Sequence, residues 1–282
     1  MKAIAETMRV SRTDQYRSPK SCKAEGKRFY RKPEDAQYLP LIRGIVDERT
    51  TYGYRRVTAL LNRALKADGK SLVNHKRVYR IMKMSNLLLQ KHTGRAVRVH
   101  DGRVAMLRSN LRWCSDAFEI GCWNGERIRV AFSMDCCDRE IMSYVATTGG
   151  ISGDLIRDLI AESIESRFGI VDKVPRKIQW LSDNGPAYIA RATRQFAQIM
   201  GFEVCTTPYD SPESNGMAES FVNTFKRDYV HVNPLPDAKS VMEKLPCWFR
   251  DYNENHPHKG LKMMSPKEFR KHQVKLEQCP VK

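Results

Sequence analysis

Long apolar runs are absent from this 282-residue sequence. A helix that crosses a membrane needs roughly 18 or more consecutive apolar residues, and no stretch of the chain approaches that length. The first residues, Met1 to Ser11, also contain no apolar segment of the kind found in secretory signals. These absences argue against membrane-spanning and secreted classes, and they predict a cytoplasmic protein with no membrane partner.

Paired cysteines and leucine repeats are absent too. The eight cysteines include no Cys-x-x-Cys pair. Most of them lie in apolar, strand-like stretches, where a reduced thiol behaves as a small hydrophobic group, so we predict core cysteines and no disulfide framework. Leucine heptads are not sustained over the three or four repeats that a coiled coil requires.

Acidic residues are scarce in one part of the chain only. Residues 1–110 contain 26 Lys and Arg against 9 Asp and Glu, whereas residues 111–282 contain 23 of each class, so the whole net charge of +17 lies in the first part. A basic module gains affinity for a polyanion because neutralised phosphates release their counterions. Nucleic acid is therefore the leading partner, and a merely soluble basic domain is the alternative.

The hydrophobic pattern divides the chain into five segments. We predict a basic, flexible lead-in over residues 1–35, a small all-α domain over 36–92, a basic linker over 93–110, a larger core that begins with strands over 111–271 and a tail over 272–282. Three short helices account for the apolar spacing between Leu39 and Met84. The third, near 74–84, turns basic residues away from its apolar stripe, as a DNA-binding helix-turn-helix does; these candidate contacts are His75, Lys76, Arg77 and Arg80. A solvated charged face is the alternative.

Beyond Leu111 apolar residues recur at every second position, as they do in β-strands. Residues 113–123, 127–134 and 141–148 predict an antiparallel meander, and the segments at 178–181 and 202–206 predict two further strands separated by helices at 155–168 and 190–200. This order is typical of an α/β fold with a mixed five-stranded sheet covered by helices.

Three carboxylates stand out from that pattern. Asp116 alternates with Cys114 and Phe118, which places a charge on an apolar strand face. Asp183 follows the fourth strand and precedes a tight turn at Asn184, at the strand end where open α/β sheets build their sites.

Glu219 lies on a predicted amphipathic helix that begins near Ser214. Asn223 and Lys226 share its polar face, because four and seven residues are about one and two helical turns. Converging carboxylates can hold two Mg²⁺ ions roughly 4 Å apart, which activate the attacking oxygen and stabilise the leaving oxygen in phosphodiester cleavage. Asp135 and Asp138 are alternatives to Asp116 as the first of the three metal-binding acids along the chain. Glu213 is the weaker alternative to Glu219 as the third.

At these acids the chain resembles the OrfB-type catalytic transposases of bacterial insertion sequences with two overlapping frames, members of the DDE, retroviral-integrase-like superfamily. Thirty-five residues separate Asp183 from Glu219, as in that family. The resemblance runs from about Leu39 to His272 and rests on these stretches: Tyr52-Gly53-Tyr54-Arg55-Arg56-Val57, Asn74-His75-Lys76-Arg77-Val78, Trp113-Cys114-Ser115-Asp116, Ser182-Asp183-Asn184-Gly185, Ser211 to Ser220, Tyr252-Asn253, His256-Pro257-His258, Leu261 and Ser265-Pro266.

The resemblance implies a ribonuclease-H-like integrase core preceded by a helix-turn-helix-like domain. It implies that Asp116, Asp183 and Glu219 are metal ligands and catalytic residues for Mg²⁺, with Mn²⁺ as an alternative. Lys226 is the implied contact with donor DNA, and Asn184, Asn215 and Asn223 are further candidate DNA contacts. The zinc module of retroviral integrases is missing, because His75 and His92 are not followed by paired cysteines.

The implied activity is DNA strand cleavage and strand transfer during transposition, on the nucleoid of a bacterium. The implied partners are the element ends, the target DNA, the product of the upstream frame, fused by frameshifting, and further copies of this chain. Two other functions remain open at this point. One is a DNA-binding regulator with an inactive core, and the other is a nuclease of the same fold that joins nothing.

Overall fold

The computed structural model describes residues 33–90, 106–206 and 216–278. The predicted lead-in up to residue 32, most of the predicted linker, and Asn215 and Glu213 lie outside these ranges. The chain divides into two compact units, residues 1–40 and 41–282. In the described part of the first unit, a 3-10 turn at Pro33–Asp35 precedes the start of helix α1. No helix in the described ranges is long and apolar enough to traverse a bilayer.

Three helices form the helix-turn-helix-like segment, as the sequence predicted: α1 (Leu39–Glu48), α2 (Tyr54–Ala67) and α3 (His75–Met84). Val57, Leu61 and Leu65 are buried at helical spacing along α2. The Asn74 side chain caps α3 by accepting the N–H of Lys76 at 2.9 Å. These local signals explain why three helices could be predicted here and why the third was predicted to begin near residue 74.

The core is a five-stranded mixed sheet, which confirms the predicted fold class. Its strands are β1 (Arg112–Gly121), β2 (Arg127–Asp135), β3 (Ile141–Thr147), β4 (Ile178–Ser182) and β5 (Phe202–Thr206), arranged in the order β3-β2-β1-β4-β5. The first three pair antiparallel, and β4 and β5 continue the sheet in parallel with β1.

Helices cover both faces of the sheet. They are α4 (Gly153–Phe168), α5 (Pro186–Ile189), α6 (Arg191–Ile199), α7 (Gly216–Phe225), α8 (Ala238–Glu254) and α9 (Pro266–Gln278), and a π-helical segment (Lys226–Val230) continues α7. One face of the sheet packs against α4, and the opposite face packs against α7 and α8. Successive β1 side chains alternate between these two apolar layers.

Several predicted boundaries were wrong. The first strand ends at Gly121 rather than Trp123, because the turn at Gly125, whose φ is +90°, begins at Cys122. The polar stretch after Asp183 contains the short helix α5, which Pro186 begins. Helix α9 continues to Gln278, through most of the predicted tail.

The described end of the predicted linker packs onto the core. Met106 contacts the apolar layer on the α7 side, and the backbone N–H of Asn110 donates to the Asp135 carboxylate at 2.6 Å. Cys114 and Cys136 are buried, as expected of core cysteines, but Cys247 is exposed. It lies on the outer face of amphipathic α8, where the helical period turns every third or fourth residue towards solvent.

Candidate active site

Asp116 lies in the middle of β1, on the face that α7 covers. Its neighbours on that face, Cys114 and Phe118, are buried, and Asp116 itself is half-buried. The backbone N–H of Ala117 donates to Asp116 Oδ1 at 2.7 Å. The sequence prediction of a charge on an apolar strand face is therefore what the structure has.

Asp183 comes alongside Asp116 because β1 and β4 are parallel neighbours. Their last paired residues are Cys114 and Leu181, and each aspartate stands two residues further along its strand. The backbone N–H of Gly185 donates to Asp183 Oδ1 at 3.1 Å and holds the carboxylate in the turn. The strand register thus brings two acids from distant parts of the sequence side by side, next to the carboxyl end of β4.

Glu219 is supplied by α7, whose apolar side packs on the same sheet face. Phe221 lies 4.5 Å from Phe132 between ring centroids, and Phe225 lies 5.7 Å from Phe118. Ala218 is buried beside them, while Glu219 is exposed. The aromatic contacts fix the rotation of the helix, and this rotation leaves the carboxylate on the open side of the Asp116 face.

The three carboxylates are electrostatic neighbours. Burial, and then the negative charges of Asp183 and Glu219, raise the pKa of Asp116 to about 6, although the N–H of Ala117 opposes the shift. Among the described residues, no three acidic, His or Cys side chains already have a ready-made metal-binding arrangement. The donor set nevertheless fits a hard divalent cation, because all its ligand atoms are carboxylate oxygens whose mutual repulsion the cation would relieve.

Lys226 lies about two helical turns beyond Glu219 and extends this surface. Its Nζ lies 5.8 Å from the centroid of the Phe118 ring, on the face of β1 that carries Asp116. Lys226 has no carboxylate partner among the described residues, so its charge is not neutralised by the protein there. Asn223 is exposed on the polar side of α7, and Asn184 is exposed in the turn after β4.

The two competing aspartates lie in a different environment. Arg167 of α4 is buried and pairs with Asp138 at 2.5 Å, Glu140 at 2.5 Å and Asp135 at 3.3 Å. Arg270 of α9 adds a second cation, 2.9 Å from Glu140. Asp135 and Asp138 are fully buried in this ion cluster, where they connect the β2–β3 turn to α4.

The predicted DNA-contact residues of α3 are only partly presented to solvent. Lys76 is exposed, whereas His75, Arg77 and Arg80 are half-buried. The His75 ring stacks on Tyr54 of α2 with 6.2 Å between centroids. The basic face predicted for α3 therefore includes side chains that also pack within the helix-turn-helix-like segment.

Sequence reasoning missed a buried polar junction between this segment and the core. Asp228, in the π-helical segment, accepts hydrogen bonds from Thr51 at 2.7 Å and Arg56 at 3.0 Å. The Tyr52 hydroxyl lies 2.8 Å from His256 Nδ1, and the tautomer of the imidazole decides which of the two donates. Burial lowers the pKa of His256, which favours the neutral ring. The paired motifs at 52–57 and 256–258 were visible in the sequence, but their contact was not.

A second ion pair strengthens the same junction. Both terminal nitrogens of Arg49 donate to the Asp251 carboxylate of α8, at 2.7 and 2.6 Å. The Tyr229 hydroxyl donates to Asp251 at 2.8 Å. The helix-turn-helix-like segment is thus attached to the helical stretch that immediately follows Glu219 and Lys226.

Family matches cover most of the chain. Residues 107–212 and 201–266 match the integrase core domain, and residues 33–95 match an HTH-like domain. Transposase InsD for insertion element IS2A/D/F/H/I/K of Escherichia coli is 47% identical over 241 residues, which are 85% of this chain and 80% of InsD. An uncharacterized 48.2 kDa protein of insertion element IS2A, also from Escherichia coli, is 47% identical over 244 residues, which cover 86% of this chain but only 57% of that protein.

A solved structure agrees with the fold. A chain of the simian T-cell lymphotropic virus intasome, solved with PP2A regulatory subunit B56 gamma, superposes with a TM-score of 0.50 at 16% identity, over 82% of this chain and 74% of that chain. At that identity the likeness concerns the fold alone. The family matches and the 47% identity to InsD show that the chain belongs to the insertion-sequence transposases with an integrase catalytic core, within the DDE integrase superfamily.

Proposed function

We propose that this chain cuts and joins DNA strands at the ends of an insertion sequence, with Asp116, Asp183 and Glu219 as the ligands of catalytic divalent metal ions. The observation that supports the proposal is the placement of Asp116 on β1, Asp183 after the parallel neighbour β4, and Glu219 and Lys226 on α7, which packs on the Asp116 face; the charges of Asp183 and Glu219 both act on Asp116. Retention of all these groups argues against a DNA-binding regulator with an inactive core.

The chemistry divides between cation and protein. Two Mg²⁺ ions, or Mn²⁺ in their place, would activate the attacking oxygen and stabilise the leaving oxygen when bound. Asp116, Asp183 and Glu219 would bind these ions and fix their positions. Lys226 supplies a phosphate contact, and Asn184, Asn215 and Asn223 are proposed to position the neighbouring backbone. The chain needs no covalent nucleophile of its own.

Labelled element-end DNA mixed with a target plasmid tests this function directly. Joined products are expected with a divalent cation present. Nicked DNA without joined product would reveal a nuclease on the same fold, and DNA binding without any product would reveal a regulator. Either of these results would replace the proposed activity.

Replacing Lys226 by Ala is expected to weaken binding of the element end and to slow joining. Lys226 has no carboxylate partner in the described structure, so its loss removes one phosphate contact without exposing a buried charge. The log–log salt dependence of DNA affinity should flatten by about one unit. Lys226→Arg, which keeps the charge, is the matched control and should retain the slope. An unchanged slope for Lys226→Ala would make Lys226 an ordinary solvated residue.

The proposed partner is the product of an upstream frame, supplied as a fusion. The region shared with InsD occupies a much smaller fraction of the 48.2 kDa relative, so that relative contains additional sequence outside the match. We further propose that the chain works as a homo-oligomer on DNA, on the nucleoid of the bacterial cytoplasm.

Residues 1–282 alone are expected to bind element ends and random DNA within about tenfold of each other, a difference of roughly 1.4 kcal/mol. The reason is that a basic module held to DNA mainly through phosphates gains affinity without sequence preference. Both affinities should be measured at one fixed salt concentration, with and without the upstream product. Strong selectivity of the isolated chain would show that its own helix-turn-helix-like segment recognises sequence.

A further inference from the structure

A groove of about 640 Å³ lies beside the buried junction described above. It is formed by the α1–α2 turn and the start of α2, the chain beyond α3, and the π-helical segment after α7. Its lining contains three arginines and no acidic residue. We call it the arginine groove; it is lined by Thr50, Thr51, Gly53, Tyr54, Arg55, Arg56, Leu89, Gln90, Arg227 and Met263.

The arginine groove carries excess positive charge. Arg56 and Arg227 share a single carboxylate, that of Asp228. Arg55 is exposed and has no carboxylate partner among the described residues; its Nε donates to the Tyr54 hydroxyl at 3.1 Å. Three guanidinium groups therefore face one carboxylate, and the surplus of about two charges is available to an anion.

Two of the three guanidinium groups are held in place. Asp228 is buried and accepts Arg227 Nε and Nη2, both at 2.6 Å, and Arg56 Nη1 at 3.0 Å. An arginine has five N–H donors in a planar fork, so each of these side chains keeps donors beyond those that Asp228 uses. The Arg227 side chain is 50% exposed, which leaves it accessible to a ligand in the groove.

The arginine groove adjoins the proposed active site along one stretch of helix. Arg227 directly follows Lys226 and stands eight positions beyond Glu219. Eight residues of helix span roughly 12 Å, which is about four base pairs of duplex at 3.4 Å each. A duplex that leaves the active site along this helix would reach the groove after that distance, whereas an acidic peptide would have no such reason to lie there.

We propose that the arginine groove holds the phosphate backbone of the DNA that flanks the cleaved position, roughly three to six base pairs away. The inference rests on the proposed function, because it takes the duplex from the active site. It assigns DNA contact to the start of α2 and to Arg227, in addition to the face of α3 that the sequence singled out.

Binding by the full-length chain tests the proposal independently of catalysis. Arg55→Ala is the informative variant, because Arg55 has only surface contacts with Tyr54, and thermal unfolding will verify that the fold is retained. The salt dependence of affinity for an element-end duplex should flatten by about one unit. Lys66→Ala is the matched control, since Lys66 is exposed at the opposite end of the same helix. Equal changes in both variants would indicate net charge alone and would overturn the proposal.

Duplexes with a single neutral methylphosphonate locate the contact. With the wild-type chain, a neutral phosphate at one or two positions within the window of three to six base pairs should flatten the salt dependence of affinity as much as Arg55→Ala does. When that neutral phosphate is combined with Arg55→Ala, the salt dependence should flatten no further. Additive losses at every position would overturn the assignment. So would an Arg55→Ala chain with unchanged DNA affinity but weakened binding of the upstream product, because the groove would then hold a protein.

Failure of the groove and failure of the proposed function give different results. The binding measurements can be made with Asp116→Asn, which should bind DNA without reacting. If Arg55→Ala changes nothing while Asp116→Asn abolishes joining, only the groove assignment fails. If joining survives Asp116→Asn, the proposed function fails irrespective of the groove.

Discussion

Asp116→Asn is expected to reduce strand cleavage and joining to less than a few per cent of the wild-type level, and Asp183→Asn and Glu219→Gln should do the same. Each substitution removes one of the three carboxylates proposed to bind the divalent metal ions. Those ions would activate the attacking oxygen and stabilise the leaving oxygen. Shape is nearly conserved, so the loss would be one of charge. Single-turnover assays with labelled element ends measure it.

The fold should survive these substitutions. Asp116 pays a desolvation cost and is repelled by its two neighbours, as its pKa of about 6 indicates. Thermal stability without metal should therefore hold or rise in Asp116→Asn. Glu119→Gln is the matched control, because Glu119 is an exposed acid on the same strand that pairs with Arg129 at 2.8 Å; it should keep normal activity. A variant of the three acids that retains substantial joining would exclude its residue from the site.

Arg167→Ala should destabilise the chain by about 3–5 kcal/mol, the cost of leaving buried charges without their partner. Arg167 is buried against Asp135, Asp138 and Glu140. Its Nε also donates to the Asn110 side chain at 2.7 Å. Without it, Arg270 would still pair with Glu140, and Asp135 and Asp138 would lose their buried cation. Urea unfolding at neutral pH measures the loss.

A surface ion pair on the same helix supplies the comparison. Arg157 pairs with Asp154 at the exposed start of α4, and Arg157→Ala should cost less than about 1 kcal/mol, because water and salt screen exposed pairs. If Arg167→Ala cost no more than Arg157→Ala, the ion cluster would not support the fold. That result would also weaken the argument that Asp135 and Asp138 serve the fold rather than the active site.

The helix-turn-helix-like segment is joined to the core by buried polar contacts. Thr51 and Arg56 hold Asp228, and Arg49 holds Asp251. Asp228 lies two residues beyond Lys226, in a π-helical segment closed by the His231 N–H, which donates to the Lys226 carbonyl oxygen at 2.8 Å. These contacts tie the α1–α2 turn and the start of α2 to the segment that continues α7, the helix that supplies Glu219.

Much of the candidate site could be predicted from sequence because its signals are local. Alternation of polar and apolar residues placed Asp116 on the buried face of β1. The turn after Leu181 placed Asp183 at a strand end, and the period of 3.6 put Glu219 and Lys226 on one side of α7. Cys247 shows the limit of such reasoning, since an apolar residue type does not specify which face of α8 it occupies.

The sequence by itself determined the five strands, the helices around the site and the membership of the chain in its family, because short-range spacing, capping and motifs specify these. Only the tertiary structure decided which distant residues meet. The parallel register of β1 and β4 brings Asp183 to Asp116, and burial of Arg167 gathers Asp135, Asp138 and Glu140 into one ion cluster. Pairing of strands and burial of charge depend on contacts across long stretches of chain, and no local pattern encodes the partner.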